Sequence, residues 1–148
     1  MSKSINLQYV HLTNQFYIDY SHCKEAMQDP DRQYLHVLTK YKGNTYVIPF
    51  RSHINHRYCF KFAANDTKGL DYSKAMIIND NKYIIKSKKN IPQYQHDLIV
   101  RKESMIVRQF FKYVKDYCKA VQKNDVNALN RMGKFSTLQY FHEELGLK

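Results

Sequence analysis

Hydrophobic periodicity divides this chain of 148 residues into two parts. Before about residue 86 the apolar side chains come mostly in short alternating runs, the pattern of half-buried strands. From about Pro92 to Val121 they recur every three or four residues, as in a long helix packed on a core. The sharpest local signal is a pair of β-rich runs, Tyr34 to Lys42 and Thr45 to Phe50, separated by Gly43-Asn44, the turn chemistry of a tight hairpin. Residues 5 to 12 alternate and read as a first strand, and Thr13 or Asn14 caps a helix over roughly residues 14 to 27 that Asp29-Pro30-Asp31 stops. Further short strands are expected at Arg57 to Phe62, Ala75 to Ile78 and Lys82 to Ile85, with Asn79-Asp80-Asn81 turning between the last two. After a helical segment near Asp125 to Arg131, Gly133 breaks the pattern. Phe135-Ser136-Thr137-Leu138-Gln139 then resembles a staple and capping box opening a last helix to about Leu145. The order β-α-β-β-β-β-β-α-α-α, over a length that suits a single domain spanning 1–148, predicts an α+β fold on a small, strongly curved antiparallel sheet.

Charge narrows the class of partner. The chain carries 24 Lys and Arg against 13 Asp and Glu, a formal +11, and such a surplus favours a polyanion, because cations neutralise phosphates and release their counterions. The aromatic side chains are 13 Tyr and 8 Phe with no Trp; Tyr rings among cations suit single-stranded nucleic acid, whose unstacked bases can lie on them. Cys23, Cys59 and Cys118 are odd in number and widely spaced, which suggests neither a disulfide framework nor a structural zinc site and fits a reducing, cytoplasmic setting. The first residues lack the apolar stretch of a signal peptide, and no run approaches membrane-spanning length, so neither export nor a membrane partner is expected.

A helical projection of the long segment separates its faces. Ile99, Ile106, Phe110, Tyr113, Val114, Tyr117 and Val121 gather on one side, while Arg101, Arg108, Lys112, Lys115 and Lys119 fall on the other. A core-facing helix with a solvated back accounts for such a pattern. The single sign of the stripe adds a second reading, an RNA-contacting surface.

The densest chemistry lies where the strand Tyr46-Val47-Ile48-Pro49-Phe50 runs into Arg51-Ser52-His53-Ile54-Asn55-His56-Arg57. RNA carries its own nucleophile, the 2′-hydroxyl. Its cleavage needs no metal or cofactor if a protein supplies a base, cationic donors for the phosphorane and an acid for the leaving 5′-oxygen. Arg51 and Arg57 offer bidentate donors, Ser52 a short hydrogen bond, and His53 or His56 a proton shuttle near neutral pH. Plainer roles compete: the two histidines could be half of a zinc site, although no third or fourth ligand stands at a credible spacing. Ser52 could be a turn hydroxyl and Arg51 an ion-pair partner. No Gly-x-Ser-x-Gly elbow, phosphate-cradling Gly-rich loop or paired-carboxylate pattern is present, which argues against serine hydrolases, nucleotide hydrolases and glycosidases.

Several of these motifs, taken in order, resemble the endoribonuclease toxins of type III toxin–antitoxin systems, the ToxN, AbiQ, CptN and TenpN group. Tyr46-Val47-Ile48-Pro49-Phe50-Arg51-Ser52 looks like the strand leading to that family's catalytic Ser, which places Ser52 at its position. Arg32 lies where ToxN-like members have an active-site Lys. Cys59-Phe60-Lys61, the block Gly69-Leu70-Asp71-Tyr72-Ser73-Lys74-Ala75-Met76-Ile77, and Phe135-Ser136 are similar too. ToxN has Thr where this chain has Arg51, and the loop His53-Ile54-Asn55-His56 looks closer to the TenpN and CptN branches. The family's N-terminal Tyr aligns with Phe16 or Tyr17, of which Tyr17 is the better match. The resemblance implies a compact, highly curved sheet with flanking helices, like the barrels of the MazF and Kid toxins. It implies metal-independent cleavage of cellular or phage single-stranded RNA to 2′,3′-cyclic phosphate and 5′-hydroxyl ends. It further implies inhibition by a small RNA antitoxin, a pseudoknot cut from tandem repeats by the toxin itself, in an assembly where RNA joins the protomers. In that frame Ser52 and Arg51 polarise the scissile phosphate, Arg32 and Lys74 stabilise developing charge, and His53 or His56 transfers a proton.

The competing reading is a noncatalytic RNA-binding module working through the basic helix face and exposed tyrosines. A third is a DNA-binding partner protein.

Overall fold

The computed structural model describes residues 7–23, 35–65, 67–87, 91–132 and 136–147. Their elements follow the order β1 (Gln8–Leu12), α1 (Asn14–Asp19), β2 (His36–Tyr41), β3 (Asn44–Arg51), β4 (Cys59–Lys61), β5 (Gly69–Asp71), β6 (Met76–Ile77), β7 (Ile84–Lys86), α2 (Gln93–Arg101), α3 (Glu103–Gln122) and α4 (Val126–Met132). This is the expected α+β class. Seven antiparallel strands run in the order β4-β5-β3-β2-β1-β7, with β6 beside β3. The path is open among the described residues, with β4 and β7 at its ends.

The hairpin forms where expected, but its turn sits one residue earlier. Tyr41 pairs with Asn44, which leaves Lys42 and Gly43 as the central residues, both at positive φ (49° and 85°). A two-residue hairpin loop of this hand needs left-handed backbone at both positions, and glycine takes the more extreme one freely. Asn44 instead donates its side-chain amide to the Glu144 carbonyl at 3.0 Å and accepts from Asn79 at 2.9 Å.

Past the hairpin, one edge of β3 is shared by two short strands. Arg51 pairs with Gly69 near one end of β3, and Tyr46 pairs with Ile77 near the other. Between β5 and β6 the residues Tyr72–Lys74 coil into a single 3₁₀ turn, so the register along β3 slips by three residues. A bulge of this kind bends a strand and re-aims its side chains. β5 went unseen in the sequence because three residues carry no readable alternation. The strands at β6 and β7 do exist, yet they pair with β3 and β1 rather than with each other.

The helical half shows three departures from expectation. α1 has its Thr13 cap, whose hydroxyl accepts from Phe16 N–H, but it ends at Asp19; the proposed stop at Asp29-Pro30-Asp31 lies outside the described residues. The single helix expected from Pro92 is two, broken at Lys102 (φ −105°, ψ 15°). There Glu103, the first residue of α3, accepts the Leu7 N–H at 2.6 Å and ties the helix start to β1. The terminal α-helix is a 3₁₀ turn at Thr137–Tyr140, capped by the Ser136 hydroxyl; Gly133 and Phe135 lie outside the described residues.

The core forms where α3 crosses the sheet. Ile106, Phe110, Tyr113, Val114 and Tyr117 are buried, as the projection predicts. Phe110 stands edge-on to Tyr46 of β3 at 5.2 Å and meets Tyr72 of the bulge at 5.7 Å. Among the described residues, no helix is long and apolar enough to cross a membrane.

Candidate phosphate site and basic groove

The last residue of β3 is Arg51, and the chain leaves the sheet there. Its guanidinium Nε lies 3.8 Å from Asp71 Oδ2, an ion-pair separation, with the Arg side chain 14% and the Asp side chain 4% exposed. Asp71 ends β5, so the strand pairing of Arg51 with Gly69 sets the two side chains near one another. The other oxygen, Oδ1, accepts from Ser73 N–H at 3.0 Å and from the Ser73 hydroxyl at 2.6 Å, the turn-closing bonds of the bulge. His56 Nε2 reaches the same oxygen at 3.2 Å and Ser73 Oγ at 3.3 Å. On the far side of the ring, His56 Nδ1 accepts the Tyr58 N–H at 3.0 Å.

One buried carboxylate thus gathers a cation, a hydroxyl and an imidazole. Burial pushes the Asp71 carboxyl up, but hydrogen bonds from His56 and Ser73 and the nearby Arg51 guanidinium outweigh it and hold the group below the usual carboxylate range. Asp71 and Ser73 stand in the segment Gly69 to Ile77 that is similar to the toxin family, and the resemblance assigns them no role. The Asp-x-Ser spacing of a turn was the available signal.

Between Arg51 and His56 the loop is held once more. Ile54 is 3% exposed, and its N–H donates to the Thr67 carbonyl at 2.9 Å. Ser52 and His53 are exposed. Ser52 Oγ lies 3.2 Å from His53 Nδ1, and His53 takes a φ of 60°, the left-handed region that a side-chain-bearing residue rarely adopts.

The remaining candidates are more scattered. Arg57 is exposed, its guanidinium 5.4 Å from the Tyr58 ring centre. Lys74 ends the 3₁₀ turn and is half-buried. Tyr17 is buried in α1, edge-on to Phe16 at 5.2 Å. Arg32 lies outside the described residues.

The basic stripe of α3 borders a groove. Arg108, Lys112, Lys115 and Lys119, all exposed, form one wall of a groove of about 1440 Å³. Lys42 of the hairpin turn and Lys123 add two further cations to the lining, with Asp116 and Glu144 as its acidic members. Asp116 is bridged by Lys112 at 2.7 Å. Tyr41 and Phe111 stack at 4.1 Å across its apolar side. Arg101 is exposed at the end of α2. A shallower depression of about 600 Å³ is lined by Asn55, His56, Arg57, Cys59 and Lys61, next to the loop. Comparisons of the chain with protein-family profiles, curated proteins and solved structures find no match.

Proposed function

We propose that this protein is a metal-independent endoribonuclease, the toxin of a type III toxin–antitoxin system. The observation that carries the reading is the anchored loop, where Arg51, Ser52, His53 and His56 converge within six residues beside a buried carboxylate. Arg51 and Ser52 bind and polarise the scissile phosphate, Arg32 and Lys74 stabilise the charge that develops on it, and one of the two imidazoles transfers a proton. Tyr17 holds the position of the family's N-terminal Tyr, and the open sheet is kin to the MazF and Kid barrels. The 2′-oxygen attacks phosphorus as the 5′-oxygen leaves, which gives a 2′,3′-cyclic phosphate and a 5′-hydroxyl without a cofactor. The substrate is single-stranded RNA of the cell or a phage, met in the cytoplasm. The inhibitor is a small pseudoknot RNA that joins protomers into a protein–RNA assembly.

The test is incubation of purified protein with defined single-stranded RNA in the presence of chelator, followed by analysis of the ends. Cleavage to cyclic-phosphate ends that is lost in Ser52→Ala and Arg51→Ala supports the reading. Intact RNA, or cleavage indifferent to both substitutions, sinks it.

The groove along α3 favours a second reading, an RNA-binding module without catalysis. It requires salt-sensitive binding with unaltered RNA ends, abolished by replacing Arg108, Lys112 and Lys115 and untouched by His53→Ala.

A further inference from the structure

We infer that the two histidines of the loop divide the work: His56 is a latch fixed by Asp71, and His53 is the imidazole that moves the proton. The inference rests on the nuclease reading, which leaves the two rings interchangeable.

The geometry around His56 commits both of its nitrogens. A backbone amide can only donate, so Nδ1, which takes the Tyr58 N–H at 3.0 Å, is the unprotonated nitrogen of a neutral ring. The proton then sits on Nε2, which faces the Asp71 carboxylate at 3.2 Å and the Ser73 hydroxyl at 3.3 Å. To accept a proton, Nδ1 has to release the Tyr58 amide. To give one up, Nε2 has to leave a carboxylate whose side chain is 4% exposed. Both nitrogens are taken up by protein groups, although the ring itself is 31% exposed.

Asp71 acts on both ends of the loop at once. Its Oδ1 holds His56 and its Oδ2 faces Arg51, while Ile54 is sunk in the protein between them and bonded to Thr67. Three fixed points in six residues leave Ser52 and His53 side by side and exposed between Arg51 and Ile54, Oγ 3.2 Å from Nδ1. The left-handed backbone of His53 (φ 60°) is a conformation that persists only where its surroundings impose it, and the anchors on either side do so. The reacting groups are therefore held by residues locked behind them.

In the step this arrangement serves, the O2′–P bond forms as the P–O5′ bond breaks. His53 takes the proton of the 2′-hydroxyl on its unprotonated nitrogen, and the departing 5′-oxygen takes a proton from solvent water. Asp71 is a positioning residue: it touches Arg51 and His56, not RNA.

Two measurements test the division. The ¹⁵N imidazole spectrum of the free protein reads the clamp without RNA. A single Nε2–H tautomer for His56, giving way to a tautomer mixture in Asp71→Ala, supports it, and an Nδ1–H tautomer in the native protein overturns it. Single-turnover cleavage reads the chemistry. His53→Gln should slow it by about 10² to 10⁴-fold, the usual contribution of a proton-transferring side chain. His56→Gln, which keeps a donor for Asp71, should recover most of the rate lost in His56→Ala. Full activity in His53→Gln, or no rescue by His56→Gln, overturns the assignment. Wild-type protein that leaves RNA intact refutes the nuclease reading itself, and the spectrum still decides the clamp.

Discussion

Tyr72 Oη donates to Gln109 Oε1 at 2.9 Å, and this bond fastens the 3₁₀ bulge to the long helix α3. Tyr72 stands between Asp71 and Ser73, so the helix braces the turn that shapes the carboxylate clamp. Tyr113, one helical turn beyond Gln109, packs on Tyr58 with ring centres 5.5 Å apart, and Tyr58 supplies the amide that fixes His56. Phe111, on another side of the same helix, stacks on Tyr41 and lines the groove. α3 therefore separates two features that sequence alone presents as unrelated: one flank supports the loop and the other faces the cationic groove.

If the groove carries RNA, its cations set the salt dependence of binding. Each phosphate contact on a single strand contributes about 0.7 to the slope of log affinity against log salt. Replacing Lys112, Lys115 and Lys119 with Ala should flatten that slope by about 2, measured by fluorescence anisotropy across a salt series. Cys118 lines the groove and Cys23 is fully buried, which provides a native footprint. Bound RNA should slow alkylation of Cys118 while Cys23 stays inert throughout. An unchanged slope together with an unprotected Cys118 removes the groove from the binding path.

The parts legible in the sequence are those encoded locally. The β2–β3 hairpin, the buried face of α3 and its exposed cations follow from period and turn chemistry, and the loop cluster is contiguous. The clamp was not legible because it depends on long-range register. Asp71 reaches Arg51 only because β5 pairs with the end of β3 and the chain then coils for three residues before β6. A three-residue strand leaves no periodic trace. The break at Lys102 was hidden for a similar reason: the Leu7 amide that the neighbouring Glu103 accepts lies 96 residues from Glu103, and the apolar spacing runs on through the break.

Gly69 has a steric role that a stability measurement will expose. A Cβ at this position would stand 2.1 Å from the Phe60 carbonyl oxygen and 2.9 Å from Lys61 Cα, both backbone atoms of β4. Neither can rotate away, so Gly69→Ala has to push β4 off β5. The expected loss is about 3 kcal/mol, the upper end for overpacking, read as a lower urea midpoint. Gly43 has open space at its Cβ position but a φ of 85°. Gly43→Ala should cost less, about 1 kcal/mol, from backbone strain alone. Equal effects at the two sites would refute the distinction.

Two buried phenols should report the core at high pH. Burial raises the hydroxyl of Tyr46 to about 12, and burial likewise raises that of Tyr117 to about 12. A folded-state value above the unfolded one, about 10, means that these groups contribute stability that is complete below pH 10. That stability is lost as pH rises toward 12. Phenolate absorbance should rise in two stages, exposed tyrosines first. Tyr46→Phe and Tyr117→Phe should each remove amplitude from the later stage, and a single transition near pH 10 would contradict the buried placement.

At low pH the clamp should fail through Asp71. Its carboxyl lies below the ordinary value in the folded protein, because His56, Ser73 and Arg51 outweigh the cost of burial. In the unfolded chain it titrates near the usual value of about 3.9. Going down in pH, the unfolded state binds the proton first, so the stabilisation is complete above about pH 4 and is lost as pH falls through the lower folded value. Asp19 behaves in the same sense, lowered by hydrogen bonds from Tyr83 and Gln15, so the wild-type curve holds both contributions and Asp19→Asn serves as the control. Asp71→Asn removes a charged acceptor and should cost about 2 kcal/mol at neutral pH. The difference between wild type and Asp71→Asn should then shrink as urea midpoints are followed from about pH 5 to about pH 2, from about one unit above the usual carboxylate value to about two below it. A difference that stays constant over that interval would mean that the Asp71 charge does not hold Arg51 and His56 in place.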